Sequence, residues 1–377
     1  MKIVAAIDSF KGSLTSLAAG QAIAAGAHRI DPAIEVEISP LADGGEGTVE
    51  AIIATGGTKR YVEVTGPLGA PVSAAYGMKG DTAVIEMAAA AGITLVAPEQ
   101  RNPMYTTTYG VGEMILDAVK QGCRKFIVGI GGSATNDGGV GMLQALGAKF
   151  LDADGAPVPF GAAGLARLAK IDTKGMHTSL AACTFYVACD VKNPLCGENG
   201  CSAIYGPQKG ATPTMVREMD EYMARYAALT KAVNPASDAN YPGAGAAGGL
   251  GFAFLSYLPA SLTPGAALVT RETGLENAIK TADLVITGEG RLDGQSAMGK
   301  APVAVATLAK KHGKPVIALA GCVSEDATRC HAHGIDAFFP ILRTPCTLNE
   351  AMDTENAAKN LAATAEQAVR LWLLDRG

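Results

Sequence analysis

The chain has 377 residues, 31 Lys plus Arg against 36 Asp plus Glu, 48% hydrophobic residues and 46 glycines, and its length predicts about two domains. A formal net charge of −5 gives no electrostatic footprint for gripping a phosphate polymer, which excludes nucleic acid as an expected partner. Glycine at about 12% of the chain, without a G-X-Y period and beside ample Ile, Leu and Val, excludes collagen and disorder.

The first element is the apolar run Lys2 to Ile7, read as a core strand because Asp8 and Lys11 cut it too short for a secretory segment. Ser13 then stands as a helix N-cap before Leu14, Leu17, Ala18, Ala22 and Ala25 at helical spacing. Val36 to Pro40 is a second strand, Asp43 to Gly47 its loop and Thr48 to Ala54 a helix, giving two β-α units of a parallel sheet. Tyr61 to Val64, Pro71 to Gly77 and Ala83 to Met87 read instead as antiparallel strands, the first two joined by the turn Gly66 to Gly69. Lys125 to Ile130 is a strand leading into a glycine loop and a helix that contains Met142, Leu143 and Leu146.

The longest uncharged stretch, between Asp238 and Arg271, contains Pro242, Pro259 and Pro264, so it reads as a buried Gly-rich loop and a core helix, with no membrane span. The β-α grammar returns at Leu284 to Thr287, Pro315 to Ala320 and Ala337 to Ile341, before a long Ala-rich terminal helix. The fold expected is therefore α/β: a Rossmann-like parallel sheet domain formed by both chain ends, residues 1–60 and 265–377, with a second α/β domain, 61–264, inserted. The eight cysteines, at 123, 183, 189, 196, 201, 322, 330 and 346, form no C-x-x-C pair, which fits a reducing compartment better than a disulfide framework or a zinc ribbon.

Five loops join glycine to carboxylates or hydroxyls at strand ends, where an open α/β sheet exposes its ligand crevice. In GIGGSATNDGG, Gly129 to Gly139, the glycines Gly131 and Gly132 let backbone N–H groups approach an anion while Ser133, Thr135 and Asn136 add side-chain donors; structural glycines in a tight turn are the plainer reading. DSFKGS puts Asp8 and Lys11 after the first strand, a pairing suited to a metal and a phosphoryl group, or simply to solvent. ADGGEG supplies Asp43, whereas Glu46 is explained by the helix dipole. VACDVKNPL places Asp190 after an apolar run, where it could accept a hydroxyl proton, bind Mg²⁺ or cap a turn.

TGEGRLDGQSAMGK ends in Gly294, Gly299 and Lys300 at P-loop spacing, but Ala301 replaces the hydroxyl that would reach a metal, so Lys300 is read as a phosphate-binding lysine at a helix start and not as part of a working P-loop. GAGAAGG matches a dinucleotide pattern at Gly243, Gly245 and Gly248 but follows Tyr241 and Pro242 instead of a strand, so close packing explains it better than nicotinamide binding. His331 and His333 lie near Cys330 at a helix end, without metal-ligand spacing.

Taken in order, DSFKGSL, LADGGEGT, VTGPLG, GIGGSATNDGG, ACDVKNPL, YGPQKGA, GAGAAGG and TGEGRLDGQS with GK following resemble the type 1 glycerate kinase family over essentially the whole chain. Ile7 stands where that family commonly has proline and Cys201 where alanine is expected. The resemblance implies a cytoplasmic kinase using ATP and Mg²⁺ to phosphorylate D-glycerate, in bacterial members generally giving 2-phosphoglycerate, with the site between two domains and a homodimer left open. On that reading Asp190, Asp8 and Lys11 are catalytic. Gly131, Gly132, Ser133, Thr135, Asn136, Lys209, Arg291 and Lys300 bind phosphate or substrate, and Asp43, Asp137 and Asp190 are the metal acids. Either Asp190 or Asp8 takes the hydroxyl proton, and the Ser133 loop and Tyr205 to Gly210 hold triphosphate or the glycerate carboxylate. A dehydrogenase binding NAD through the Gly243 loop and a non-catalytic sugar-acid sensor are the rivals.

Overall fold

The computed structural model describes residues 1–42, 44–298 and 300–374. Its strands, in chain order, are β1 (Lys2–Ala5), β2 (Glu35–Ile38), β3 (Thr58–Thr65), β4 (Pro71–Lys79), β5 (Thr82–Glu86), β6 (Lys125–Gly129), β7 (Lys149–Leu151), β8 (Lys170–Asp172), β9 (Thr184–Ala188), β10 (Ala260–Thr263), β11 (Leu284–Leu292), β12 (Val316–Val323) and β13 (Ala337–Pro340). The chain divides into two compact units, Met1–Asp43 with Glu50–Thr55 and Ala266–Gly377, and Gly44–Val49 with Gly56–Gly265. This division differs from the expected domains, 1–60 with 265–377 and 61–264, in placing residues 44–49, 56–60 and 265 in the second unit; there the Val49 amide donates to Glu86 Oε1 at 2.9 Å.

The first unit is built on an all-parallel sheet in the order β13-β12-β11-β1-β2. A strand covered on both faces needs apolar side chains at every position, which is why Lys2 is followed by five consecutive apolar residues. Ile3, Ala5 and Ile7 face a core shared with helices Ser16–His28 and Thr354–Leu373, while Val4 and Ala6 face one shared with Leu275–Thr281 and Ala301–Lys311. All five are 0% exposed, and full burial of each Ile or Val is worth roughly 1.5–3 kcal/mol.

The N-cap of the helix Ser16–His28 is Thr15, whose hydroxyl accepts from the Ala18 amide, and not Ser13 as expected. Residues 10–14 close a turn of their own, with Phe10 N–H on the Leu14 carbonyl and Ser13 N–H on the Phe10 carbonyl, so the helix starts two residues later. Buried Ser16 fixes the strand end by donating to the Ile7 carbonyl and accepting from the Leu41 amide.

The second unit holds a six-stranded sheet, β10-β9-β6-β5-β4-β3, and the two-stranded β7-β8. β10, β9, β6 and β5 are parallel, and β4 and β3 extend the sheet antiparallel. The three strands read from sequence as antiparallel are present, but β5 also pairs parallel with β6 and so joins the hairpin to the β-α part. Pro71 is tolerated because it is the first residue of β4.

Helix Pro213–Val233, with Thr212 as N-cap and Pro in its first turn, lays Met219, Met223, Tyr226 and Thr230 inward, one stripe at helical period. The Gly243–Gly249 run enters helix Ala246–Tyr257 through left-handed Ala247, Gly248 and Gly249. A Cβ on Gly248 would lie 2.1 Å from the Thr135 carbonyl oxygen, so this glycine is required both by its φ of 66° and by close approach. Among the described residues no helix is long and apolar enough to cross a membrane.

Candidate active site

In the second unit the turn after central strand β6 presents only its leading edge. Gly131 and Gly132 are exposed and Ser133 is half-buried, whereas Thr135, Asn136 and Asp137 are buried. Exposed amides in a glycine turn at a strand's carboxyl end are the arrangement that receives an anion. The rest of the turn holds that edge in place. The Lys209 ammonium, 2% exposed, donates to the Thr135 carbonyl at 2.6 Å, and Asn136 Nδ2 donates to Ser202 Oγ at 2.9 Å. Burial pulls the Lys209 amine down to about 8, since an ammonium loses hydration there that one carbonyl restores only in part.

Asp137, 1% exposed, is enclosed by four donors. Its Oδ2 accepts from Thr108 N and Oγ1 at 2.8 Å each and from Gly141 N at 3.2 Å, and Oδ1 accepts from Gly139 N at 3.0 Å. Burial pushes this carboxyl above its ordinary range despite the opposing pull of those donors. The geometry gives Asp137 the task of tying the turn to the start of helix Tyr109–Lys120. Asp190 behaves differently: it is exposed beyond β9, and its Oδ1 accepts from Gly265 N at 3.1 Å.

In the first unit the chemistry gathers where β1 and β11 end. The ladder continues past β1, with Asp8 N–H on the Gly288 carbonyl at 2.9 Å. In this parallel register, which pairs Ala5 with Ile286, Asp8 falls level with Glu289. Gly288, at φ 154°, is where β11 comes so close to β12 that a Cβ would sit 1.8 Å from the Leu319 carbonyl oxygen. Glu289 is largely buried. Its carboxylate accepts from Ser296 Oγ and lies 4.0 Å from Lys300 Nζ, which is 3.7 Å from Asp293 Oδ1. Lys300 is the N-cap residue of helix Ala301–Lys311, with Pro302 in its first turn. Arg291 is exposed and 3.5 Å from Asp293 Oδ2, and Lys11 is exposed on the loop after β1.

The first unit thus brings together Asp8, Arg291 and Lys300, and the second brings together Gly131, Gly132, Ser133, Thr135, Asn136, Asp137 and Lys209; Asp43 lies outside the described residues. Two acids were not singled out from sequence. Glu289 stands inside the quoted TGEGRLDGQS motif, and Glu86 closes β5, holding the Val49 amide. The signal for both was an acid just after the apolar run of a strand, at the end of β5 for Glu86 and within β11 after Leu284 to Thr287 for Glu289.

Two α/β units whose strands run out into glycine amides, carboxylates and lysines define an α/β protein equipped for anionic small-molecule ligands. A model of the glycerate kinase family matches residues 3–373, and the chain belongs to that family. It is 49% identical to the Glycerate 2-kinase of Escherichia coli (strain K12), covering 98% of this chain and 99% of the relative. It is also 49% identical to a Glycerate kinase of Haemophilus influenzae, with 98% of both covered. A crystal structure provisionally described as glycerate kinase 2 from Salmonella typhimurium LT2 superposes with a TM-score of 0.92 at 48% identity, covering 100% of this chain and 99% of that one.

Proposed function

We propose that this chain is a cytoplasmic kinase that transfers the γ-phosphoryl group of ATP to the 2-hydroxyl of D-glycerate, releasing 2-phospho-D-glycerate and ADP. The observation that carries this reading is the likeness over nearly the whole chain to a relative named glycerate 2-kinase. The chemistry of the strand ends supports it. Phosphoryl transfer demands positioning and charge neutralisation more than covalent help from the protein, and amides, lysines and acids are the groups at hand. Gly131, Gly132 and Ser133 hold one anionic partner, phosphate or carboxylate, on backbone N–H groups, while Thr135, Asn136 and Lys209 brace that turn. Lys11, Arg291 and Lys300 offset charge on the phosphates. The hydroxyl proton passes to a strand-end acid, Asp8 or Asp190.

A Mg²⁺ ion would neutralise the triphosphate and orient it in line. Such an ion keeps several waters and takes only one or two protein carboxylates besides the phosphates, so it needs no cage, and among the described residues no cluster of three metal-binding side chains is found. Exposed Asp190 fits this role. Enclosed Asp137 does not, and we leave it out of the metal set. The dehydrogenase reading loses its cofactor loop, because Gly248 is pressed against the Thr135 carbonyl.

Phosphorus NMR of the product formed from ATP and D-glycerate tests the proposal. A 2-phosphoglycerate resonance is expected, a 3-phosphoglycerate resonance would move the transfer to the other hydroxyl, and ATP left intact would refute the kinase. Of Asp8→Asn and Asp190→Asn, the one that removes the proton acceptor should lower kcat by at least roughly 10²-fold, the scale for losing an acid-base group; near-native kcat in both would remove them from the chemistry.

A further inference from the structure

We propose that Glu289 is a further catalytic residue: together with Asp8 it takes up the proton leaving the glycerate hydroxyl. This rests on the kinase reading above and adds a residue to it. The argument is one of place. If Lys300 neutralises the phosphoryl group in flight, the attacking hydroxyl must lie within a bond length or two of that group. The carboxylate 4.0 Å from Lys300 Nζ is then within a hydroxyl's reach of the reacting atoms. Asp293, the other acid beside Lys300, is engaged elsewhere, since its Oδ1 accepts from the Gln295 and Ser296 amides and its Oδ2 faces Arg291. Among the described residues the donor to the Glu289 carboxylate is the Ser296 hydroxyl, and the Glu289 side chain is 12% exposed.

The charged and titratable groups that face Glu289 are Asp8 from the end of β1, Asp293 and Lys300 from the turn and helix that follow β11, and Cys330 from the segment Glu325–His333. Burial comes first in raising its proton affinity, with Asp8 and Asp293 adding to it and Ser296 and Lys300 opposing. A carboxyl raised toward working pH is a better proton acceptor than an ordinary one. The step balances: the hydroxyl oxygen bonds to the γ-phosphorus, the bond from that phosphorus to the bridging oxygen breaks with its electron pair leaving on ADP, and the hydroxyl proton goes to the neighbouring carboxylates of Glu289 and Asp8, which share it until solvent removes it.

The test is steady-state kinetics with ATP and D-glycerate across pH, on wild type, Glu289→Gln, Glu289→Asp and Ser296→Ala. Glu289→Gln keeps the hydrogen bond to Ser296 but takes no proton, so kcat should fall at least roughly 100-fold while KM for ATP stays within about threefold and the acid limb of the kcat profile disappears. Glu289→Asp should recover part of kcat. Ser296→Ala, which removes a donor that favours the charged form, should move the acid limb to higher pH. The proposal is overturned if Glu289→Gln stays within tenfold of wild-type kcat with its acid limb intact. It is overturned equally if kcat falls only alongside a rise in KM for ATP that Glu289→Asp does not relieve, which would make Glu289 a holder of Lys300. A wild type that phosphorylates no D-glycerate overturns the kinase reading and this inference together.

Discussion

Replacing Asp137 separates a carboxylate that braces a turn from one that holds a metal. In Asp137→Ala, the Thr108 amide and hydroxyl and the Gly139 and Gly141 amides lose their acceptor inside the fold. At about 1 kcal/mol for each buried donor left unpaired, the loss is about 4 kcal/mol, which for a unit of roughly 200 residues lowers Tm by about 8–16 °C. Asp137→Asn can set its carbonyl where Oδ2 stood and keep three of the four donors, turning its amide toward Gly139. It also removes a charge that burial disfavours, so its cost should be about 1 kcal/mol. The pH dependence follows from the raised carboxyl. The folded state binds the proton more tightly than the unfolded state, so wild-type stability falls as pH rises from the ordinary carboxyl range through the folded value. The advantage of wild type over Asp137→Asn should therefore narrow toward neutral pH. Differential scanning calorimetry with urea titration reads all of this. Equal melting of the two variants, or Asp137→Ala within 2 °C of wild type, would refute the bracing role, and lost Mg²⁺-dependent turnover without loss of stability would put this carboxylate on a metal.

Lys209 should show the opposite pH signature. Its amine is held to about 8 against an ordinary 10.5, so the fold binds its proton less tightly than the unfolded chain does. Stability should rise by about 3 kcal/mol between those two values, seen in urea titrations as a slope that Lys209→Met lacks; parallel curves would contradict it. Gly288→Ala should unfold at lower denaturant and lose turnover, because its Cβ would meet the Leu319 carbonyl oxygen at 1.8 Å and forcing β11 off β12 costs at least about 1–3 kcal/mol; a native-like denaturation midpoint would show that the strands part freely.

The α/β architecture was legible because its central strands are apolar without interruption. Lys2 to Ile7 and Leu284 to Thr287 could only be buried on both faces, and they pair as neighbours. The helix start after Lys300 was legible from Pro302, because proline is tolerated in a helix's first turn and not in its interior. Burial was not legible. Asp137 and Asp190 both follow small residues after an apolar strand, yet one is enclosed and the other exposed, a difference made by Thr108, which is distant in sequence. The Gly243–Gly249 run showed that backbone had to come close to something, without showing that the something is Thr135. Helix Pro213–Val233 was readable from Thr212, Pro213 and the Met219, Met223, Tyr226 stripe, but its many charges hid the stripe. Glu289 was not legible as an acid of the site because it lies between Gly288 and Gly290, and its burial and its contact with Ser296 arise only in the fold.

The neighbour of β1 on one side, β2, follows within some thirty residues, but the other, β11, begins only at Leu284. At 5–20 residues per second, a ribosome needs on the order of tens of seconds to deliver it. During that interval the inserted unit, whose strands all lie within one stretch of chain, can complete its own hydrogen bonds, while Ile3 to Ala5 wait with an open edge. The nascent protein therefore spends most of the interval between β1 and β11 with a sticky apolar ribbon held open, the kind of segment that chaperones shield and that seeds aggregates when they do not.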